Sequence, residues 1–422
     1  MKKFNFIMLV ARGKSIFKWL SPGIGIKRWI GLSSLGVILI VTGALFFRYA
    51  EEYFINKILD VIVILSGIII LILGFKRMAQ SLIGAIVPSS RSDVLVDILY
   101  QRRQLGRGAR IAVVGGGTGL SVLLSGLKEY TSNITAIVTV ADDGGSSGRL
   151  RQQFDILPPG DIRNCLVALA DASTLMRELF QFRFEKGSEL AGHSFGNLFI
   201  TVMTRLTGDF EKAIKETSKV LALRGQVIPS TLNNVILVAQ HQNGSITEGE
   251  DKIPKARISI ERVFLKPEHP EATPEAIKAI EDADIIVLGP GSLYTSIIPN
   301  LLVKDITDAL GSAKATKVYV CNIMTQPGET DSFSASAHVK NLVAHSHPRV
   351  LDYCIVNTGV IPSSILKRYE SEGALPVLSD RKSIENMGYR VILEDIVSIT
   401  DNVVRHDPLK LARIIMGFIE EL

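Results

Sequence analysis

Hydrophobic positions fall into two kinds of run along this chain. Near the N-terminus they are long and unbroken. Residues 29–47, W-I-G-L-S-S-L-G-V-I-L-I-V-T-G-A-L-F-F, carry no charge. Residues 61–75, V-I-V-I-L-S-G-I-I-I-L-I-L-G-F, form a second uncharged run, and with 56–60, which add Lys57 and Asp60, the segment reaches about 20 residues. About 20 apolar residues span a bilayer as a helix, so the pattern predicts two crossings. Beyond residue 110 the runs are short and alternate with polar turns. A-R-I-A-V-V (109–114) is a buried-strand pattern, G-G-G-T-G follows it, and L-S-V-L-L-S-G-L-K-E-Y has helical spacing. I-T-A-I-V-T-V (134–140) is the next strand, which completes a βαβ unit with the helix as crossover.

The same grammar returns three times. D-I-I-V-L (284–288) enters G-P-G-S-L-Y-T-S, K-V-Y-V-C-N (317–322) enters I-M-T-Q-P-G-E-T, and Y-C-I-V-N (353–357) enters T-G-V-I-P. This predicts an α/β fold with an open, mostly parallel sheet whose loops gather at the carboxyl ends of the strands. Residues 161–223 read as helices and 226–265 as a small β-rich insertion. The expected organisation is a basic N-terminal segment (1–28), a transmembrane hairpin (29–75), a basic juxtamembrane linker with one short helix (76–110) and a ligand-binding domain (111–422).

Charge sharpens the membrane reading. Residues 1–110 hold 16 Lys/Arg against 5 Asp/Glu, a net of +11, whereas the remainder carries −6. A basic front on an acidic body argues against a chain-wide nucleic-acid surface. Seven Lys/Arg and no acid precede the first run, a cluster of Lys and Arg follows the second, and the short connector holds Glu51 and Glu52. Positive-inside logic therefore places both ends in the cytoplasm, with the large domain at the inner face of the cell membrane. The late start of the first run and the presence of a second fit a cleaved signal peptide poorly; a buried core hairpin is the alternative. Cys165, Cys321 and Cys354 show no metal-ligand or disulfide spacing and read as core residues.

The candidate chemistry lies in the turns. Gly116, Gly117, Thr118 and Gly119 sit between a strand and a helix, where backbone amides attract an anion. Leu120 stands where a dinucleotide fingerprint needs glycine, and no Gly-Lys-Ser/Thr follows, so neither standard phosphate motif is matched. A-D-D-G-G-S-S-G-R (141–149) places Asp142 and Asp143 beside Gly144, Gly145 and Ser146. One carboxylate suits ribose hydroxyls, or both suit a divalent cation such as Mg²⁺ shared with a diphosphate. P-P-G-D-I-R-N offers Asp161 as a helix cap, with Arg163 and Asn164 in the first turn. G-H-S-F-G-N resembles a nucleophile elbow, but no strand precedes it, which leaves Ser194 as a helix cap with Asn197 after it. His193 is either a general base or a hydrogen-bonded structural histidine. Gly289, Gly291 and Ser292 form a second anion-type loop, and Asp407 is a candidate cap for the last helix.

Taken together, G-G-G-T-G-L-S-V-L-L, V-A-D-D-G-G-S-S-G-R-L-R, P-P-G-D-I-R-N, G-H-S-F-G-N, G-P-G-S-L-Y-T-S-I-I-P-N-L-L-V, C-N-I-M-T-Q-P-G-E-T and V-R-H-D-P resemble the gluconeogenesis factors, the YvcK group. That group belongs to the superfamily of CofD, the 2-phospho-L-lactate transferase. The resemblance covers Ile111 to Leu422. It implies a Rossmann-like CofD fold, binding of a UDP-sugar such as UDP-N-acetylglucosamine, and regulation of carbon metabolism, cell shape and envelope synthesis. It further implies that Tyr369 of K-R-Y-E and Arg405 of V-R-H-D contact the nucleotide sugar. A homo-oligomer and cell-envelope or signalling protein partners are expected besides. The family does not normally carry the hydrophobic hairpin. CofD enzymes use a divalent metal, so a ligand-sensing regulator and a metal-dependent transferase stay open as two readings. No nucleophile–base–orienter set is legible, which favours the regulator.

Overall fold

The computed structural model describes residues 26–49, 54–86, 104–185, 187 and 189–420. The basic segment up to residue 25, the connector at 50–53 and residues 87–103 lie outside the described residues. The chain divides into two compact units, Met1–Gln101 and Arg102–Leu422.

The first unit is a pair of helices, α1 (Ile26–Tyr49) and α2 (Phe54–Ile86). Both are long and apolar enough to cross a membrane. Their large side chains stay outside the pair: Phe46 is 64% exposed and Ile72 60%. Glycines set the contact between the helices. A Cβ on Gly36 would fall 2.7 Å from the Leu71 nitrogen, and one on Gly67 would fall 2.8 Å from the Gly36 oxygen. Small residues that let backbones approach in this way suit association where water gives no hydrophobic drive. The second helix continues to Ile86, so residues 76–86, expected as linker, are helical.

The second unit is built on seven parallel strands. In chain order, β1 (Ile111–Gly115) is followed by α3 (Gly117–Leu127) and β2 (Ile134–Val138). Five helices follow: α4 (Gly145–Phe154), α5 (Gly160–Leu169), α6 (Thr174–Gln181), α7 (Phe195–Thr207) and α8 (Phe210–Val220). Next comes β3 (Gln226–Pro229), and then an antiparallel insertion of β4 (Ile236–His241), β5 (Ile246–Glu248) and β6 (Ile260–Lys266). The second half runs α9 (Pro274–Glu281), β7 (Ile285–Leu288), α10 (Lys304–Ser312), β8 (Thr316–Val320), α11 (Ala335–Ala344) and β9 (Tyr353–Asn357). It ends with α12 (Ser363–Ser371), β10 (Arg390–Glu394), a ribbon of β11 (Val397–Thr400) and β12 (Val403–His406), and α13 (Pro408–Glu420).

The sheet order is β10-β9-β8-β7-β1-β2-β3, and every pairing in it is parallel. β1 and β7 are buried throughout, which is why they read as continuous apolar runs rather than alternating ones. Residues 226–229, expected in the insertion, form the edge strand β3 of the main sheet instead. Four residues are too few for periodicity to show which sheet they join. The insertion proper is the three-stranded sheet β5-β4-β6. All three cysteines are buried and free, as core residues should be.

The order has one reversal. From β1 the chain builds outward to β2 and β3, then returns to β1's other side at β7 and builds the opposite way. Loops leaving β1 and β7 therefore diverge and open a crevice at their carboxyl ends, the place where such sheets bind ligands.

Candidate functional site

The site begins at that crevice. Val114 pairs with Leu288, so the two strands end level, and their loops leave through Gly116–Gly117 and Gly289–Pro290–Gly291. Gly117 (φ 69°) and Gly289 (φ 78°) occupy the left-handed region that favours glycine. The loops touch: a Cβ on Gly119 would lie 2.7 Å from the Pro290 carbonyl oxygen. Asn300 ties them together, its Nδ2 donating to the carbonyls of Gly115 (3.1 Å) and Ser296 (2.8 Å). Gln326 Nε2 donates to Ser292 Oγ at 2.6 Å and joins the loop after β8 to the same floor.

Opposite stand the end of α12 and the β12 edge. The Tyr369 hydroxyl accepts the Val404 N–H at 3.0 Å, and the Arg368 guanidinium lies 5.2 Å from the Tyr369 ring centre. Together these walls enclose a cleft of 1150 Å³. Gly116, Gly117, Thr118, Gly119, Gly291, Ser292, Tyr369 and Arg405 all line it. Arg257 of the insertion, which carries no motif in the sequence, and Gln326 of C-N-I-M-T-Q-P-G-E-T line it too.

The other expected residues do not line the cleft. Asp142 and Asp143 face different partners. Asp142 Oδ1 accepts the Gly144 N–H (2.9 Å), whereas Asp143 Oδ1 accepts the Asp251 N–H (2.9 Å) from the insertion. Asp161 does not cap α5, whose cap position is Pro159. Its carboxylate instead accepts the Gly117 N–H and packs on Gly116, at the start of α3. Burial, then the charge of Asp142, pushes the Asp161 carboxyl up to about 7. Glu250 is pushed up to about 8 by burial, then by Asp142 and Asp161, and Glu329 to about 7 by burial. Burial also raises Asp142. Four carboxyls thus share one electronegative region behind the glycine floor.

Among the described residues no three acidic, imidazole or thiolate groups converge into a complete metal cage. The donor set nevertheless suits Mg²⁺, which uses one or two carboxylates and fills its shell with phosphate oxygens and water. Asp142, with Asp161 beside it, is the carboxylate that would hold it, and such an ion would supply charge neutralisation beside a diphosphate.

A third group lies around the N-termini of α4 and α7. Ser146 Oγ contacts His193 Nδ1 at 3.0 Å and accepts from Asn197 Nδ2 at 3.1 Å. Ser194 caps α7, accepting the Asn197 N–H, and Arg163 donates to its hydroxyl. Arg163 also donates to Asn164 Oδ1 at 2.6 Å, and burial lowers its pKa to about 10. Burial, then Arg149, lowers the His193 pKa. His193 therefore sits as a neutral, hydrogen-bonded imidazole, and Ser194 is engaged as a cap. Gly144 and Gly145 begin α4 beside this group, and Gly289 is buried beneath the floor. At the last helix Asp407 Oδ1 accepts the N–H groups of Leu409 and Lys410, the expected capping role.

Comparison with known proteins agrees with this architecture. Residues 111–397 match the family described as 2-phospho-L-lactate transferase CofD. The chain is 50% identical over 317 residues to the gluconeogenesis factor of Bacillus subtilis, covering 75% of this chain and all (100%) of that one. A crystal structure of a Bacillus halodurans protein superposes with a TM-score of 0.72 at 48% identity, covering 74% of this chain and 100% of the other. A relative from Nostoc sp. is 47% identical over 419 residues, covering 95% of this chain and 92% of its own length. That match takes in the residues of α1 and α2, so the added N-terminal region recurs within the family.

Proposed function

The chain belongs to the CofD family, among its gluconeogenesis factors, and from that premise we propose that it is a membrane-tethered regulator that binds a nucleoside diphosphate sugar of the UDP-N-acetylglucosamine type. The observation that carries this reading is the cleft of 1150 Å³, with glycine amides along one wall and Tyr369 and Arg405 on the other. Its size exceeds the several hundred Å³ of ordinary small-ligand sites and suits an extended, two-part ligand. Amides and guanidinium groups favour phosphate, while the polar side chains around them suit base and sugar hydroxyls. The resemblance implies that the bound state regulates carbon use, cell shape and envelope synthesis. The hairpin would hold the sensor at the inner leaflet, where envelope precursors are assembled.

Calorimetry on the full chain in detergent, with a panel of UDP-, GDP- and ADP-linked sugars, tests this. Saturable binding of a UDP-sugar in excess EDTA, unaltered on recovery, is expected. Metal-dependent consumption of a nucleoside diphosphate-linked donor would instead favour a CofD-type transferase, the reading that the four clustered carboxyls support.

A further inference from the structure

Resting on the nucleotide-sugar reading, we propose that Arg257, carried by the antiparallel insertion, recognises the phosphate groups of the cleft's ligand, so that the insertion is part of the binding site. Two guanidinium groups line the cleft opposite the glycine loops, Arg257 and Arg405, and a guanidinium is favourable ground for phosphate oxygens.

Neither guanidinium makes an internal hydrogen bond or ion pair among the described residues, so Arg257 is as free to meet an anion as Arg405. Two acids of the insertion are taken by other cations: Lys255 pairs with Asp251, and Lys266 with Glu248. The backbone holding Arg257 is firmly placed. Asp251 donates its N–H to Asp143, and Gly249 donates to the Leu237 carbonyl at 2.8 Å. The turn at Gly328 packs so closely on Pro254 that a Cβ there would meet its carbonyl oxygen at 2.0 Å. Arg257 ends the short helix Ile253–Ala256 in a left-handed conformation (φ 54°). Its Nη1 lies 3.8 Å from the point where a side chain at Gly373 would begin, so the guanidinium reaches the far wall through space that glycine leaves open. A planar guanidinium matches two phosphate oxygens at once, which an ammonium cannot do.

The test is calorimetry on the full chain in detergent with uridine, UDP, UDP-N-acetylglucosamine and inorganic pyrophosphate, for wild type, Arg257→Gln and Arg257→Lys. Arg257→Gln should weaken UDP, the UDP-sugar and pyrophosphate by about tenfold or more, the usual loss for a charged hydrogen bond. Uridine binding and the unliganded melting temperature should not change, and Arg257→Lys should recover only part of the loss. Unchanged pyrophosphate and UDP affinity in Arg257→Gln overturns the inference, as does an equal loss for uridine, which would mark a structural role. Pyrophosphate binding that depends on Arg257, with no nucleotide bound, would overturn the nucleotide-sugar reading and leave this inference standing. A wild type that binds neither overturns both.

Discussion

Glu250 shows how one residue's environment becomes measurable. Its carboxyl titrates near 8 in the folded protein, against about 4.5 when unfolded, because it is buried beside Asp142 and Asp161. Between those pH values the folded state keeps a proton that the unfolded state has released. Stability contributed by this group is thus complete below about 4.5 and is lost as pH rises towards 8. Asp161 and Glu329, both raised to about 7, act in the same direction. The ligand-free protein should therefore melt lower at pH 8 than at pH 5.5. Glu250→Gln should flatten that slope and raise the pH 8 melting temperature by about 2–4 °C, the shift that about 1 kcal/mol makes in a large domain. Scanning calorimetry across this range decides it; parallel profiles for variant and wild type would show that the carboxyls do not interact as argued.

At the scale of elements, the site is a contact between two loops, and Gly119 is where they meet. A side chain there would press on the Pro290 carbonyl and on Gly291. Gly119→Val should part the α3 start from the β7 loop and weaken UDP-sugar binding at least tenfold, while the far-ultraviolet circular dichroism stays native; undiminished affinity in calorimetry would place the ligand elsewhere. Elements of this kind were legible in the sequence because they are local. A β-branched run followed by glycines specifies strand and turn, and β1, β7, β8 and β9 fall where the pattern puts them. What stayed hidden depends on distance along the chain. Asp161 reads as a cap from its neighbours, yet its carboxylate crosses to Gly117, more than forty residues earlier in the chain. Asp142 and Asp143 are adjacent, which invites a shared role, but strand β2 ends just before them and the insertion draws Asp143 away to Asp251. Glu250 and Arg257 carry no motif, since the insertion's packing alone brings them to the site.

The whole molecule joins two units of different surface, an apolar helix pair and an α/β body. The body, Arg102–Leu422, buries its own core around the seven-stranded sheet, and the cleft is lined by residues of this unit alone. In the hairpin, Phe46, Ile62, Ile72 and Phe75 are each more than half exposed, a surface that water disfavours and lipid does not. Basic residues beside the helices add about 1 kcal/mol each of attraction to an anionic leaflet, an effect that salt removes, whereas two spanning helices are held regardless of salt. Two experiments separate these contributions. Removing residues 1–101 should yield a soluble body whose affinity for the UDP-sugar lies within about twofold of the full chain, because no cleft residue is lost. Fractionation of cells expressing the full chain, followed by high-salt and carbonate washes of the membranes, should leave the protein in the pellet until detergent is added. Release by carbonate or salt would mean that the helices lie on the bilayer or pack on protein, and that charge alone holds the sensor to the membrane.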